Sequence, residues 1–557
     1  MGRKRYFIWM ILLIVVSLIL GFYTGKYYRI MGPQFNVLRS GQQKINEALD
    51  VISQNYVDTV DIHYLTESAI DKIISELDPH SSYIPASDVE AANEDLEASF
   101  SGIGIQFNMQ FDTILVISII SGGPAEKAGL MPFDRIITVN DSTVAGRNIG
   151  TTKVMRMLRG PKDSKVRLGI QRGNAEELAE FELTRGDIPN NSVDVSYKVN
   201  DHIGYIKISK FSRSTYKDFL TAMAKLKQQG LTGFIIDLRD NPGGYMESAI
   251  NVINEFLPKG RLIVYMEGRS YPRMESYSNG KGSSQDAPVV VLINELSGSA
   301  SEIFSGAIQD NDRGLIIGRR SYGKGLVQTK LDLSDRSELL LTVARYYTPS
   351  GRCIQKEYEL GKSEEYSHDI YNRFIHGEFY SADSIKMIDS LEFKTLGGRS
   401  VFGGGGVMPD IFIPRDTTGV TSYYSNIINT GVLYQFSLVY SDENHDKLKS
   451  FDNYQDLYEY LQQQPLLYEF ADYAASKGIK KRPTLMNISR ELIETQLYAY
   501  IVRNFFDYEG FYPIFLRDDA TLQKAIEVIN EGKWKPEISA LYDANKEDHF
   551  ILKSYDQ

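Results

Sequence analysis

Asn294-Glu295-Leu296-Ser297-Gly298-Ser299-Ala300-Ser301-Glu302 follows the apolar run Val289 to Ile293 and leads into Ile303, Phe304, Ala307 and Ile308. A short apolar run reads as a buried strand, and the spacing after it as an amphipathic helix, so the stretch is a tight strand-to-helix turn. Ser299 with Glu302 three positions on matches a capping box, which sets the Ser299 hydroxyl at the positive end of a helix whose first N–H groups lack partners. A nucleophilic oxygen and an oxyanion site would then coincide. An isolated pair of this kind is more often a plain N-cap, so the reading turns on what the rest of the chain supplies.

Two other loops matter. A serine hydroxyl is a weak nucleophile unless a base takes its proton. None of the seven histidines lies near the turn in sequence, which leaves a spatially distant one open. Ser321-Tyr322-Gly323-Lys324-Gly325 follows the strand-like Leu315 to Ile317, and a lysine held between glycines there can be desolvated enough to act as a neutral base. Lys324 comes 25 residues after Ser299, and Gln328 four later. The strand-like Phe234 to Leu238 runs into Arg239-Asp240-Asn241-Pro242-Gly243-Gly244, whose glycine N–H groups can approach a substrate carbonyl closely.

Around these loops the chain changes character in blocks. Apolar residues recur at helical spacing from Gln42 to about Leu77, where Leu77-Asp78-Pro79-His80-Ser81-Ser82 reads as a helix stop and turn. Short β-rich runs, Ile114 to Ile120 and Val166 to Ile170 among them, fill Phe100 to Gly186 around a helix from Pro124 to Leu130. From Ile203 strands and amphipathic helices alternate, the pattern of an α/β domain. Beyond about Asp416 the chain reads mostly helical and tyrosine-rich, with no catalytic spacing. The fold class is thus multidomain α/β, and 557 residues allow several domains.

From Tyr6 to Tyr23 every residue is apolar or small, just enough to span a bilayer, with Arg3, Lys4 and Arg5 before it. The basic triplet would stay cytoplasmic, so the rest is expected outside, on a single-pass inner-membrane anchor. The exit, Leu20-Gly21-Phe22-Tyr23, lacks the small-residue pattern of a cleavage site and favours an uncleaved anchor over a signal peptide. A formal charge of −11 without a basic run elsewhere argues against nucleic acid as a partner. The lone Cys353 permits neither an internal disulfide nor a cysteine metal cluster, and no cofactor or metal is expected.

Taken together, Asp237-Leu-Arg-Asp-Asn-Pro-Gly-Gly244, Ser299-Ala-Ser-Glu302 and Tyr322-Gly-Lys-Gly-Leu-Val-Gln328 resemble, in order, the motifs of the C-terminal processing peptidases, or tail-specific proteases. The resemblance covers roughly residues 42 to 355 and the Gly403 to Ile411 stretch. It implies Ser299 as nucleophile, Lys324 as general base and Gln328 as the residue that orients the lysine. Oxyanion stabilisation falls to the N–H of Ala300 and of Gly243 or Gly244, and Asp310 takes a supporting role. Tyr322 stands for the usual Phe, Gly298 for the usual Ala, and about 45 residues are inserted between Lys356 and Val401.

The resemblance further implies a crotonase- and ClpP-like α/β core interrupted upstream by a PDZ domain. Gly102-Ile103-Gly104-Ile105 resembles a PDZ carboxylate-binding loop, with Phe133 where a glycine is common. As a dinucleotide loop it fails, since the third glycine position is Phe107. Arg159, before Gly160, is the candidate for coupling PDZ occupancy to activity, against a plain surface arginine. The expected order is stub and anchor 1–27, helical module 33–97, PDZ domain 98–187, peptidase core 188–415 with an insertion at about 357–400, and helical extension 416–557. Expected partners are proteins with free C-terminal tails, the lipid bilayer, and a second copy through the helical modules. The rivals are a catalytically dead PDZ scaffold, against which both Ser299 and Lys324 are present, and a crotonase-type acyl-CoA enzyme, which would explain neither the PDZ module nor the Ser-Lys pair.

Overall fold

Val289–Ile293 is buried at every position because it is a middle strand of a six-stranded sheet. The computed structural model that contains it describes residues 13, 15–23, 41, 43–94, 96–110, 112–120, 122–173, 175, 177–386 and 389–536. Of the expected anchor, residues 6–12 and 14 lie outside the described residues, as do the basic stub and residues 537–557 of the expected extension. Residues 15–23 are helical and exposed. Among the described residues no helix is long and apolar enough to cross a membrane.

Two compact units divide between Leu77 and Asp78. The first holds the helices 43–55 and Ile62–Ser75, the second of which is N-capped by the Asp61 carboxylate accepting the Tyr64 N–H at 3.1 Å. The division falls inside the expected module 33–97. Residues 78–97 belong to the larger unit, where Ser82–Ile84 pairs antiparallel with Glu338–Tyr347. Two residues of turn after a helix stop carry no sequence signal for a strand whose partner is more than 250 positions away.

In the larger unit the six-stranded sheet runs Val193–Lys198, Ile203–Ile208, Gly233–Asp237, Val289–Ile293, Leu315–Gly318, Ile411–Phe412, parallel except for the first pair. Parallel sheets need cover on both faces. Val289, Val291 and Ile293 face Phe219 and Phe304 from the helices threaded between the strands and Phe256 from the turn after the helix Met246–Ile253. Val290 and Leu292 face the other way, against Leu522, Ala525 and Val528 of the helix Ala520–Asn530. The core expected over 188–415 therefore draws its second covering layer from the stretch expected as an extension. A second, antiparallel sheet centres on Glu338–Tyr347, which pairs with Leu326–Asp332, Leu262–Gly268 and Ser82–Ile84.

The β-rich domain is a sheet in the order Ile105–Gln110, Thr113–Ile119, Arg135–Val139, Lys165–Gln171, Ala179–Thr184, closed on one face by the helix Thr151–Leu158. Its entry and exit strands, Ser99–Gly102 and Gly186–Pro189, pair with each other, as suits a domain inserted into the chain. On the other face Leu115, Ile117 and Phe133 pack against Leu438, with Phe505 and Tyr434 beside them. Phe133 holds the positive φ of 68° that the common glycine would take freely, and its ring meets His445 at 5.3 Å. The departure at position 133 is thus a contact with the C-terminal helices, reinforced by the ion pair of Arg135 with Asp442.

Candidate active site

Ser299 sits at φ 54°, ψ −114°, between the strand Val289–Ile293 and the helix Ala300–Asp310. A non-glycine residue pays for that conformation in strain, and it persists only when its surroundings fix it. Here both neighbouring loops are stapled to the turn. Gly298 donates its N–H to the Asn241 carbonyl at 2.9 Å, and the Ser297 hydroxyl donates to the Leu238 carbonyl at 2.8 Å. The Asn294 side chain accepts the Asp240 N–H at 2.9 Å. Gly243 lies so close that a Cβ there would meet the Ser299 Cβ at 2.6 Å, which is why only glycine fits.

Glu302 reaches back from the first helical turn. Its Oε2 accepts the Ser299 N–H at 2.8 Å and the Lys324 N–H at 2.9 Å; its Oε1 accepts the Gly323 N–H at 2.7 Å and the Ser321 hydroxyl at 2.5 Å. The side chain is fully buried. Burial pushes its carboxyl up to about 7, against hydrogen bonds that favour the ionised form. The Tyr346 hydroxyl bridges the same two segments from the other side, pointing between the carbonyls of Ser299, at 3.0 Å, and Lys324.

Lys324 is half-buried, and burial lowers its pKa from the ordinary lysine value, with the Glu302 and Asp78 carboxylates partly offsetting this. Gln328 lies in the strand Leu326–Asp332 that follows and donates from Nε2 to the Thr342 hydroxyl at 3.1 Å. The histidine brought near Lys324 is His80. Burial, and then the lysine's charge, lower it to about 4, and its Nε2 is engaged by the Tyr366 hydroxyl at 2.9 Å. Tyr366 comes from the insertion, as does Arg373, which donates to the carbonyls of Ser321 and Arg320 and so fastens the lysine loop from outside.

Of the two expected oxyanion glycines, Gly243 spends its N–H on the Asn241 side chain at 2.9 Å. The N–H groups of Ala300 and Gly244 have no acceptor among the described residues. Asp310 is not brought to the site. It ends the Ser299 helix and binds the fully buried Arg352 at 2.8 Å and the Ser350 hydroxyl at 2.7 Å, a structural anchor. Arg159 does not reach the site either: its guanidinium pairs with Glu94 and lies 4.4 Å over the Phe100 ring, because the helix before it ends facing the entry strand. In the Gly102 to Ile105 loop the Ile103 and Gly104 N–H groups have no acceptor among the described residues, and Gly104 has φ 79°. Among the described residues the adjoining strand Ile105–Gln110 stands at the edge of its sheet.

The profile described as Peptidase family S41 matches residues 202–362, a PDZ domain profile matches 101–183, the profile of an activating protease CtpB N-terminal domain matches 32–87, and one described as a family of unknown function matches 423–507. The chain is 36% identical over 355 residues to the carboxy-terminal processing protease CtpA of Bacillus subtilis (strain 168), covering 64% of this chain and 75% of that one. The chain belongs to the carboxy-terminal processing protease family. The CtpB protease of the same organism is 35% identical, with 56% and 65% covered. Among solved structures a photosystem II D1 C-terminal processing protease matches at 26% identity and a TM-score of 0.34, over 67% of this chain and 92% of that one. The chain is a serine-type peptidase with a PDZ domain.

Sequence reasoning saw Glu302 as a cap and missed that it also holds the lysine loop; the capping-box spacing was the available signal. It read Asp78 and His80 as a turn, and Asn241 as part of a glycine loop. Arg239 stands in the Asp237 to Gly244 motif, but nothing local names its distant partner: it grips Asp237 and, at 2.9 Å, the Asp519 side chain.

Glu302→Gln offers one acceptor oxygen to donors arriving on both, so at least one buried N–H loses its partner, costing about 1–3 kcal/mol. Turnover should fall sharply and the unfolding midpoint should drop. Because the folded carboxyl titrates above its ordinary 4.5, the stability tied to its protonated form is complete below that pH and is lost as pH rises through about 7. Thermal unfolding across this window should show the slope in the wild type and lose it in the Gln variant.

Proposed function

We propose that Ser299 is the nucleophile and Lys324 the general base of a membrane-anchored endopeptidase that captures protein C-terminal tails through its PDZ domain. The observation that carries the reading is that a single oxygen of Glu302 accepts the backbone N–H of both Ser299 and Lys324, at 2.8 and 2.9 Å, fixing the two residues against one atom. Neutral Lys324 takes the proton from the Ser299 hydroxyl as its oxygen attacks the scissile carbonyl. The Ala300 and Gly244 N–H groups receive the developing oxyanion. The lysine returns the proton to the leaving amine, and water then releases the acyl group by the same route. Gln328 holds the lysine, and no histidine is needed.

The Gly102 to Ile105 loop supports capture of a terminal carboxylate, because its unengaged N–H groups lead directly into an edge strand to which a peptide can add. The apolar run at 6–23 behind Arg3, Lys4 and Arg5 supports a single-pass anchor with the peptidase outside the cytoplasm.

Ser299→Ala and Lys324→Ala should each abolish most proteolysis of an unstructured tailed substrate while the protein stays folded, and the double variant should be little worse, since the pair acts as a unit. Lys324→Arg should fail as well, because guanidinium stays protonated. Activity should rise with pH as Lys324 loses its proton, and a limb near 7 would follow Glu302, whose carboxyl is pushed up to about 7, rather than His80, lowered to about 4. Near-normal turnover in either lysine variant would remove the dyad. A substrate with an amidated C-terminus should be cleaved much more slowly than its free-acid twin; equal rates would rule out carboxylate capture. Protease added to intact cells or spheroplasts should degrade the region beyond residue 30, and protection of that region would reverse the topology.

A further inference from the structure

We infer that Thr342, held by Asp78, is a positioning residue that sets which end of the Gln328 amide faces Lys324. The inference rests on the dyad reading above and extends it to residues outside the motifs.

The argument is one of donors and acceptors. A hydroxyl has a single proton. The Thr342 hydroxyl lies 3.0 Å from Asp78 Oδ1 and 3.1 Å from Gln328 Nε2. An ionised carboxylate only accepts, so Thr342 gives its proton to Asp78 and has only lone pairs left for Gln328. Asp78 stays ionised: burial works against it, but hydrogen bonds from the Ser81 hydroxyl, the His80 N–H and Thr342 hold its carboxyl below the usual range. The Gln328 group that meets Thr342 must therefore be its NH2, and the carbonyl oxygen is the end left for the lysine. That oxygen can accept from the Lys324 ammonium but offers no proton to compete for the neutral amine's lone pair.

The device is anchored at both ends. Asp78 Oδ1 also accepts the N–H groups of His80 at 2.9 Å and Ser81 at 3.0 Å, and Oδ2 accepts the Ser81 hydroxyl at 2.5 Å. The Ser81 oxygen in turn accepts the Thr342 N–H at 3.0 Å, and Ser82 to Ile84 are paired to the same strand as Thr342. The turn Asp78 to Ser82 is thus fastened to the strand Glu338–Tyr347 by side chain and backbone together. The charged or titratable groups acting on Lys324 and its neighbours are Glu302, Asp78, His80 and Lys356, and of these Asp78 is the one in the hydrogen-bonded chain that ends on Gln328.

The test compares Thr342→Val, Thr342→Ser and Lys324→Ala in the full chain, with kcat, KM, the pH profile and thermal unfolding on one tailed peptide. Valine keeps the shape and removes the acceptor, so the Gln328 amide can turn its NH2 to the lysine. The expected result is a fall in kcat of roughly tenfold, the scale of one hydrogen bond to a charged group, with KM unchanged. Losing an acceptor for the ammonium disfavours the protonated lysine, so the rising limb of activity should move to lower pH while the plateau drops. Thr342→Ser keeps the hydroxyl and should restore both. A Val variant with wild-type kcat and an unmoved limb overturns the inference, and so does a Ser variant as damaged as Val, which would make the methyl group's packing the cause. Those outcomes leave an inactive Lys324→Ala in place; an active Lys324→Ala would instead overturn the dyad and this inference with it.

Discussion

Everything near Ser299 depends on one buried carboxylate. Glu302 accepts three backbone N–H groups and one hydroxyl, and these come from two segments of chain, the turn at Ser299 and the loop from Ser321 to Lys324. Burying a carboxyl without partners is expensive, so the loop must come to the turn for the carboxyl to be satisfied, and the loop's position is set by that demand. The unusual backbone of Ser299 is stable for the same reason: its N–H is held by Glu302, its carbonyl by Tyr346, and the loop from Arg239 to Gly244 packs against it. Removing these contacts would let the turn relax out of that conformation.

The same logic of shared elements extends to the C-terminal helices. They are not an appendage to a finished core, because the helix Ala520–Asn530 covers one face of the central sheet and its N-cap Asp519 binds Arg239, in the loop that carries the two glycines. The preceding helices pack on the PDZ sheet through Leu438 and Phe505 around Phe133. One stretch of chain thus touches both the sheet that supports the proposed dyad and the PDZ domain. The insertion plays a comparable local part, with the Tyr366 ring against Tyr322 and Arg373 donating to the Ser321 carbonyl of the lysine loop.

The sequence by itself determined the parts whose cause is local. The strand Val289–Ile293, the helix start at Ala300 and the glycine run at 243 and 244 follow from hydrophobic run length, capping spacing and the steric demand for glycine, and each was legible without a structure. The family motifs, read in order, carried the peptidase and PDZ assignments for the same reason. What only the tertiary structure decided are contacts between residues far apart in the chain: Asp78 with Thr342, Arg239 with Asp519, Phe133 with Leu438, and the removal of Asp310 and Arg159 from the site to structural partners. A buried polar group must find a partner somewhere, but nothing in its own neighbourhood names which one. That choice is made when the sheets stack and the loops meet, and it appears only in the folded chain.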